Sequence, residues 1–170
     1  VLPTGISLSM PADSGREAFR ERHGIDPARP VALFVGRVAH EKNIDYLLDV
    51  VDLARAWVPD ILLVIAGEGP ALPSLRRLVA ERGLQPSVQF IGYLERQSEL
   101  PACYAAADVF VFASRTETQG LVLLEAMAAG LPVVALAEMG TVDILGPRRA
   151  SLAPPPEPEA FGEAVGRLLG

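Results

Sequence analysis

The chain predicts an α/β domain: a parallel sheet of about six strands with helices on both faces. Two observations carry that reading. Short apolar runs recur along the chain, and segments with helical periodicity separate them. The runs are continuous rather than alternating, as expected of strands covered on both faces. Strands alternating with helices give βαβ units with right-handed crossovers. The expected result is a doubly wound, Rossmann-like sheet, with ligands bound beyond the carboxyl ends of its strands.

The elements follow in order. A helix is expected near residues 14–23, stopped by Gly24, and "VALFVG" (31–36) is the first strand. "EKNIDYLLDVVDLARAW" then places Ile44, Leu47, Leu48 and Val51 on one stripe of a helix. "ILLVIAG" (61–67) is the second strand, and "LPSLRRLVAERG" is a helix ending at Gly83. "VQFIG" (88–92), the helix "SELPACYAAA" and the strand "DVFVFAS" (108–114) come next. "GLVLLEAMAAG" is a helix stopped by Gly130 and Pro132, and "PVVAL" (132–136) is a strand. After the loop "APPPEP" a last helix begins near Glu157.

Composition bounds the function. The chain has 170 residues, half of them hydrophobic, enough for one domain with a sizeable core. A net charge of −6 argues against nucleic acid as the main partner. No apolar stretch reaches about 18 uncharged residues, so no spanning helix is expected. The first residues lack a basic segment followed by an apolar one, so no signal peptide is expected. One cysteine, Cys103, excludes an internal disulfide and suits a reducing, cytoplasmic compartment. The chain starts at Val1 and ends in what reads as a helix, so residues 1–170 are expected to be one domain of a longer protein.

Residues just after each strand are the informative ones. The first such loop, "GRVAHEKN", has neither G-x-G-x-x-G nor G-x-x-x-x-G-K-[ST]. It has Arg37 and Lys42, and Lys42 is the only lysine in a chain that otherwise uses arginine. A cation at a helix start is disfavoured by the helix dipole, and an anion bound there would remove that penalty. The two residues together favour an anion site over a solvated lysine and a surface ion pair.

The loop "RTETQG" after "DVFVFAS" leads into a helix expected to begin near Gln119 or Gly120. Its free N–H groups make a second anion-binding terminus. Gly120 lets a ligand approach the backbone. Glu117 precedes the helix, and Glu125 lies inside an apolar run, where a charge is rarely buried without a partner. Two acceptors flanking an anion site suit a ligand that is anionic in the middle and hydroxylated at both ends, as a nucleotide sugar is. The alternative is that Glu117 caps the helix and Glu125 pairs with an arginine.

With these residues in view, the chain resembles the C-terminal, donor-binding domain of GT-B glycosyltransferases of family 4, the retaining group. The resemblance covers nearly the whole chain: "LPTGIS", "LFVGRVAHEKNIDYLL", "LLVIAGEGP", "VQFIGYL", "YAAADVFVFASRTETQGLVLLEAMAAGLPVVA" and "EMGTVDIL". Its most specific part is the spacing of Glu117 and Glu125 followed by A-M-A-x-G-x-P-V-V. The resemblance implies that Arg37 and Lys42 hold the donor diphosphate, with Gly36 and Gly67 beside them. It implies that Glu117 binds the donor sugar, and that Thr118, Gln119, Gly120, Leu121 and Val122 bind sugar and phosphate. It places Glu125 on the ribose, and Ile91, Gly92 and Tyr93 along the base. Arg37, Lys42 and Glu117 would be the catalytic set. Two positions depart from the pattern: Ala113 where Pro is common, and Asp143 where many members have Glu.

The implied chemistry is departure of a nucleoside diphosphate, with its developing charge stabilised by fixed cations and helix ends. Retention by front-face attack is an expectation from the family. No nucleophile with an adjacent base is evident, because Ser114 has no histidine near it in sequence. No metal or cofactor is expected: D-x-D is absent, and two His and one Cys show no ligand spacing. Cys103 reads as inert packing, Asp49 and Asp52 as a solvated helix face, and Trp57 and Tyr46 as helix packing. The resemblance implies a UDP-, GDP- or ADP-sugar as donor. The acceptor, a lipid or a saccharide, would be held mainly by an N-terminal GT-B domain, without which the domain is expected to be inactive. Membrane contact, if any, would be peripheral and through that other part. A sugar-nucleotide epimerase and a non-catalytic nucleotide-binding module remain as alternatives.

Overall fold

The computed structural model describes residues 13–114, 121–135, 151–152 and 157–169. Its first elements are α1 (Asp13–Arg22), β1 (Val31–Val35), a 3-10 turn (His40–Lys42) and α2 (Ile44–Ala54). Next come β2 (Leu62–Ala66), α3 (Leu72–Glu81), β3 (Val88–Gly92), α4 (Glu99–Ala106) and β4 (Val109–Phe112). The last are α5 (Leu121–Ala128), β5 (Val133–Ala135), β6 (Ser151–Leu152) and α6 (Pro158–Leu169).

The six strands form one sheet in the order β3-β2-β1-β4-β5-β6, and every pairing is parallel. The order reverses between β1 and β4, as in a doubly wound sheet. Right-handed crossovers then place α2 and α3 on one face and α4 and α5 on the other. The sheet's inner strands are apolar at every position because both faces are covered: Leu33, Phe34, Leu63, Ile65, Phe110 and Val133 have no exposed surface. The sixth strand has no apolar run of its own. It is two residues paired to the edge of β5.

Two structural details differ from the sequence reading. Lys42 ends the 3-10 turn instead of opening α2, and Asn43, in the left-handed conformation at φ 58°, separates it from Ile44. The dipole penalty expected of Lys42 is therefore smaller, because the cation sits after one short turn. Trp57 lies beyond the end of α2 and is 57% exposed, whereas Tyr46 is buried edge-on to Phe161 of α6. The Cβ and the near edge of the Trp57 ring lie against Gly166. Among the described residues no helix is long and apolar enough to cross a membrane.

At the amino ends of the strands, α1 is clamped by charge. Arg20 is 2% exposed and donates to the carbonyls of Ala106, Asp26, Pro27 and Arg29 and to Asp108 Oδ2. Asp108 also accepts from Arg16 and from the Val31 amide. Burial, then the neighbouring Arg16 charge, pull the Arg20 guanidinium below its ordinary value, and Asp108 opposes them.

Candidate functional site

The loops that leave β1, β2 and β3 are laced together beyond the last strand pairs. Gly36 N donates to Ala66 O at 3.1 Å, Val38 N to Glu68 O at 3.0 Å and Gly67 N to Gly92 O at 2.8 Å. This lacing demands glycine at two places. A Cβ on Gly67 would lie 1.9 Å from Gly36 O, and one on Gly69 would lie 2.2 Å from Val38 O. The "GEG" after the second apolar run is thus a backbone crossing (not a flexible hinge) that fixes the floor of a site.

Above that floor lies a cavity of ≈ 300 Å³ lined by Val35, Gly36, Arg37, Ala66, Gly67, Glu68, Tyr93, Leu94, Arg96 and Leu100. It sits at the carboxyl ends of β1, β2 and β3, beside the reversal of strand order. Arg37 and Glu68 are exposed, Tyr93 is 69% exposed, and Leu94 and Leu100 form the buried wall. One rim thus offers cations, a carboxylate, an aromatic face and an apolar wall.

Four predicted residues, Gly36, Arg37, Gly67 and Tyr93, meet at this cavity. Gly92 adjoins it: its carbonyl takes the Gly67 amide, and Glu68 Oε1 is 3.7 Å from where its Cβ would be. Ile91 is half-buried against the core. Lys42 is half-buried in the neighbouring 3-10 turn. That turn is tied to the end of β4: Asn43 Nδ2 donates to Ala113 O at 3.3 Å, and Ser114 Oγ to Glu41 O at 3.4 Å. Glu117, Thr118, Gln119 and Gly120 lie outside the described residues, as does Asp143. Leu121 opens α5, and Val122 is half-buried in its first turn.

Glu125 faces inward from α5. Its side chain is 14% exposed, and Arg96 Nη2 lies 3.0 Å from its Oε1. That distance makes an ion pair, but Oε1 is closed to solvent and has no aligned hydrogen-bond donor among the described residues. We read the contact as a charge pair in which Arg96, itself 57% exposed, reaches in from the cavity rim. The arginine partner of the alternative reading is therefore present, and it also belongs to the candidate site.

Leu94, Arg96 and Leu100 were not among the residues expected to bind. A signal for Leu94 and Arg96 exists: they follow the "VQFIG" strand, in the next loop of the same row, and Leu100 stands in the first turn of the helix after it. Among the described residues no group of three His, Cys, Asp or Glu could hold a metal ion. Cys103 is buried, and burial pushes its thiol up to about 12.

Comparison with known proteins agrees with this geometry. Residues 15–170 match the family described as glycosyl transferases group 1. The alpha-D-kanosaminyltransferase of Streptomyces kanamyceticus is 35% identical over 159 residues, 92% of this chain and 40% of that protein. The GDP-mannose-dependent alpha-(1-6)-phosphatidylinositol monomannoside mannosyltransferase of Mycolicibacterium smegmatis is 35% identical over 178 residues, 99% of this chain and 46% of that one. The chain thus spans less than half the length of these relatives. Among solved structures, Anabaena HepE in complex with UDP and glucose superposes with a TM-score of 0.81 at 23% identity, over 94% of this chain and 44% of that one. A parallel sheet with its cavity at the strand reversal, a solved structure of the same fold and a family match over nearly the whole length agree: the chain belongs to the glycosyl transferases group 1 family.

Proposed function

We propose that this chain is the donor-binding half of a retaining, family 4 glycosyltransferase. It binds a nucleoside-diphosphate sugar without a metal and supports transfer to an acceptor held mainly by an N-terminal domain. The observation that carries the reading is the cavity at the carboxyl ends of β1, β2 and β3, with Arg37 and Arg96 on its rim. At ≈ 300 Å³ it has the size of one end of a nucleotide sugar, since ligand pockets run from roughly 300 to 1,000 Å³.

In this reading Tyr93 and Leu94 flank the base, and Glu125 accepts from the ribose. Arg37 and Lys42 hold the diphosphate, and Glu117 holds the sugar. The bond from the sugar's anomeric carbon to phosphate oxygen breaks, and the leaving diphosphate takes the electron pair. The acceptor oxygen bonds to the same carbon on the same face and passes its proton to the departing phosphate oxygen, which lies on that face. Cations set around the diphosphate stabilise the charge that develops on it. Support comes from the relatives, which are named as glycosyltransferases, and from a structural neighbour solved with UDP and glucose.

A thermal-shift screen of UDP-, GDP- and ADP-sugars tests the reading. One class should raise the melting temperature in the presence of EDTA. A chain that none of them stabilises would not be a donor-binding domain.

A further inference from the structure

Arg96 lines the cavity at the carboxyl ends of β1, β2 and β3, and its Nη2 lies 3.0 Å from Oε1 of Glu125 on α5. It therefore joins the candidate site to a carboxylate on another element. The loop that carries it is a fixed platform. Leu94 and Leu100 are buried on either side of it. Between them, Glu95 Oε2 accepts from the amides of Gln97 and Ser98 at 2.9 and 2.7 Å and from Ser98 Oγ at 2.7 Å. Glu99 Oε2 accepts from the Glu95 amide at 3.1 Å, and Glu95 O takes the amides of Glu99 and Leu100 at 3.0 Å each. These bonds close the turn that opens α4, and they fix the backbone at Arg96 before any ligand arrives. What remains to be ordered there is one side chain, 57% exposed.

Glu125 needs a cation. Its side chain is 14% exposed and Oε1 is closed to solvent, and a carboxylate so placed is costly unless paired. Arg96 supplies that charge at 3.0 Å, although its N–H groups are not aligned on Oε1. The ion pair decides which oxygen faces the guanidinium. Oε1 is turned to Arg96, and the exposure that the side chain keeps belongs to its other atoms, Oε2 among them. If Arg96 left for the diphosphate, a partly buried carboxylate would lose its partner, which is strongly unfavourable. Its place is therefore beside Glu125 rather than on the phosphates. We propose that Arg96 is a positioning residue for Glu125: it holds Oε1 by charge and so presents Oε2 to a ribose hydroxyl of the donor. This rests on the donor-site reading above, in which Glu125 accepts from the ribose. It separates the two arginines of the rim, with Arg37 acting on the phosphates and Arg96 acting on the ribose through a carboxylate.

The test crosses substitutions in the 170-residue chain with hydroxyls of the ligand, read by calorimetry. UDP, GDP and ADP are each titrated into the unsubstituted chain. The tightest is kept as the probe and compared with the same diphosphate lacking both ribose hydroxyls. Arg96→Gln should weaken the intact diphosphate roughly three- to tenfold, the scale of one hydrogen bond. The analogue without hydroxyls should bind Arg96→Gln and the unsubstituted chain alike, because it offers Glu125 nothing to accept. Arg96→Lys keeps the charge and should restore most of the affinity. In the Glu125→Gln background Arg96→Gln should change little, because the two residues act as one unit. Equal weakening of both ligands would overturn the proposal: Arg96 would then touch the phosphates, or support the fold if the melting temperature also fell. No weakening of the intact diphosphate, or equal loss with and without the Glu125 carboxylate, would overturn it as well and leave the donor reading intact. Failure of all three diphosphates to bind the unsubstituted chain would remove the donor reading, and this inference with it.

Discussion

The backbone of Gly67 passes so close to Gly36 that a Cβ on Gly67 would lie 1.9 Å from the Gly36 carbonyl oxygen. The φ of Gly67, 146°, is also one that side chains rarely adopt. Clash and strain therefore coincide at one residue on the cavity floor. Gly67→Ala should cost about 3 kcal/mol or more, since an unfavourable backbone conformation alone costs about 1–3 kcal/mol. Urea unfolding would measure it. A loss below about 1 kcal/mol would mean that the loops can separate without harm, and that the floor is not fixed by this crossing.

Arg20 and Asp108 make a second prediction at the opposite end of the sheet. Arg20→Met keeps most of the stem and removes five hydrogen bonds from a guanidinium that is 2% exposed. Asp108 keeps Arg16 and the Val31 amide, but four carbonyls lose a donor, so the cost should be about 2–4 kcal/mol, since a buried acceptor left unpaired costs about 1–3 kcal/mol. Diphosphate affinity, measured well below the melting temperature, should stay within about twofold. A variant as stable as the parent, or one with selective loss of ligand affinity, would contradict a purely structural clamp.

Cys103 gives a pH-linked prediction. Burial holds its thiol up at about 12 in the folded chain, against 9.0 for an ordinary thiol. The sign follows from linkage. The stability from keeping this thiol neutral is complete below pH 9 and is lost as the pH rises towards 12. At pH 9 iodoacetamide should therefore leave the folded chain unlabelled and label it readily in urea. Fast labelling of the folded chain would place Cys103 at the surface.

Much of this architecture is legible in the sequence, for physical reasons. "VALFVG", "ILLVIAG" and "DVFVFAS" read as strands because both faces are buried, so apolarity is unbroken. Ser151 and Leu152 escape notice because two edge residues carry no pattern. Gly36, Arg37, Gly67 and Tyr93 are legible as residues after strands, and the same rule, carried three residues past Tyr93, would have found Arg96. Lys42 reads as a helix start because a 3-10 turn and the first turn of an α-helix look alike in sequence. The pairing of Arg96 with Glu125 joins two elements far apart in the chain, and no local spacing encodes it. The burial of Arg20 is hidden for the same reason, since its partners come from the β1 and β4 ends.

Arg37 carries the central claim, because it is the exposed cation at the carboxyl end of β1 and lines the cavity. The most direct measurement is calorimetric titration of UDP, GDP and ADP into the chain in EDTA, repeated with Arg37→Ala. One diphosphate should bind without metal. Arg37→Ala should weaken it by roughly 1.5–3 kcal/mol, about tenfold to a hundredfold, the worth of a hydrogen bond to a charged group. The matching free nucleoside should hardly respond to the substitution. Binding that appears only after Mg²⁺ or Mn²⁺ is added, or a diphosphate that binds Arg37→Ala as tightly as the parent, would contradict a metal-free donor site built on this strand end.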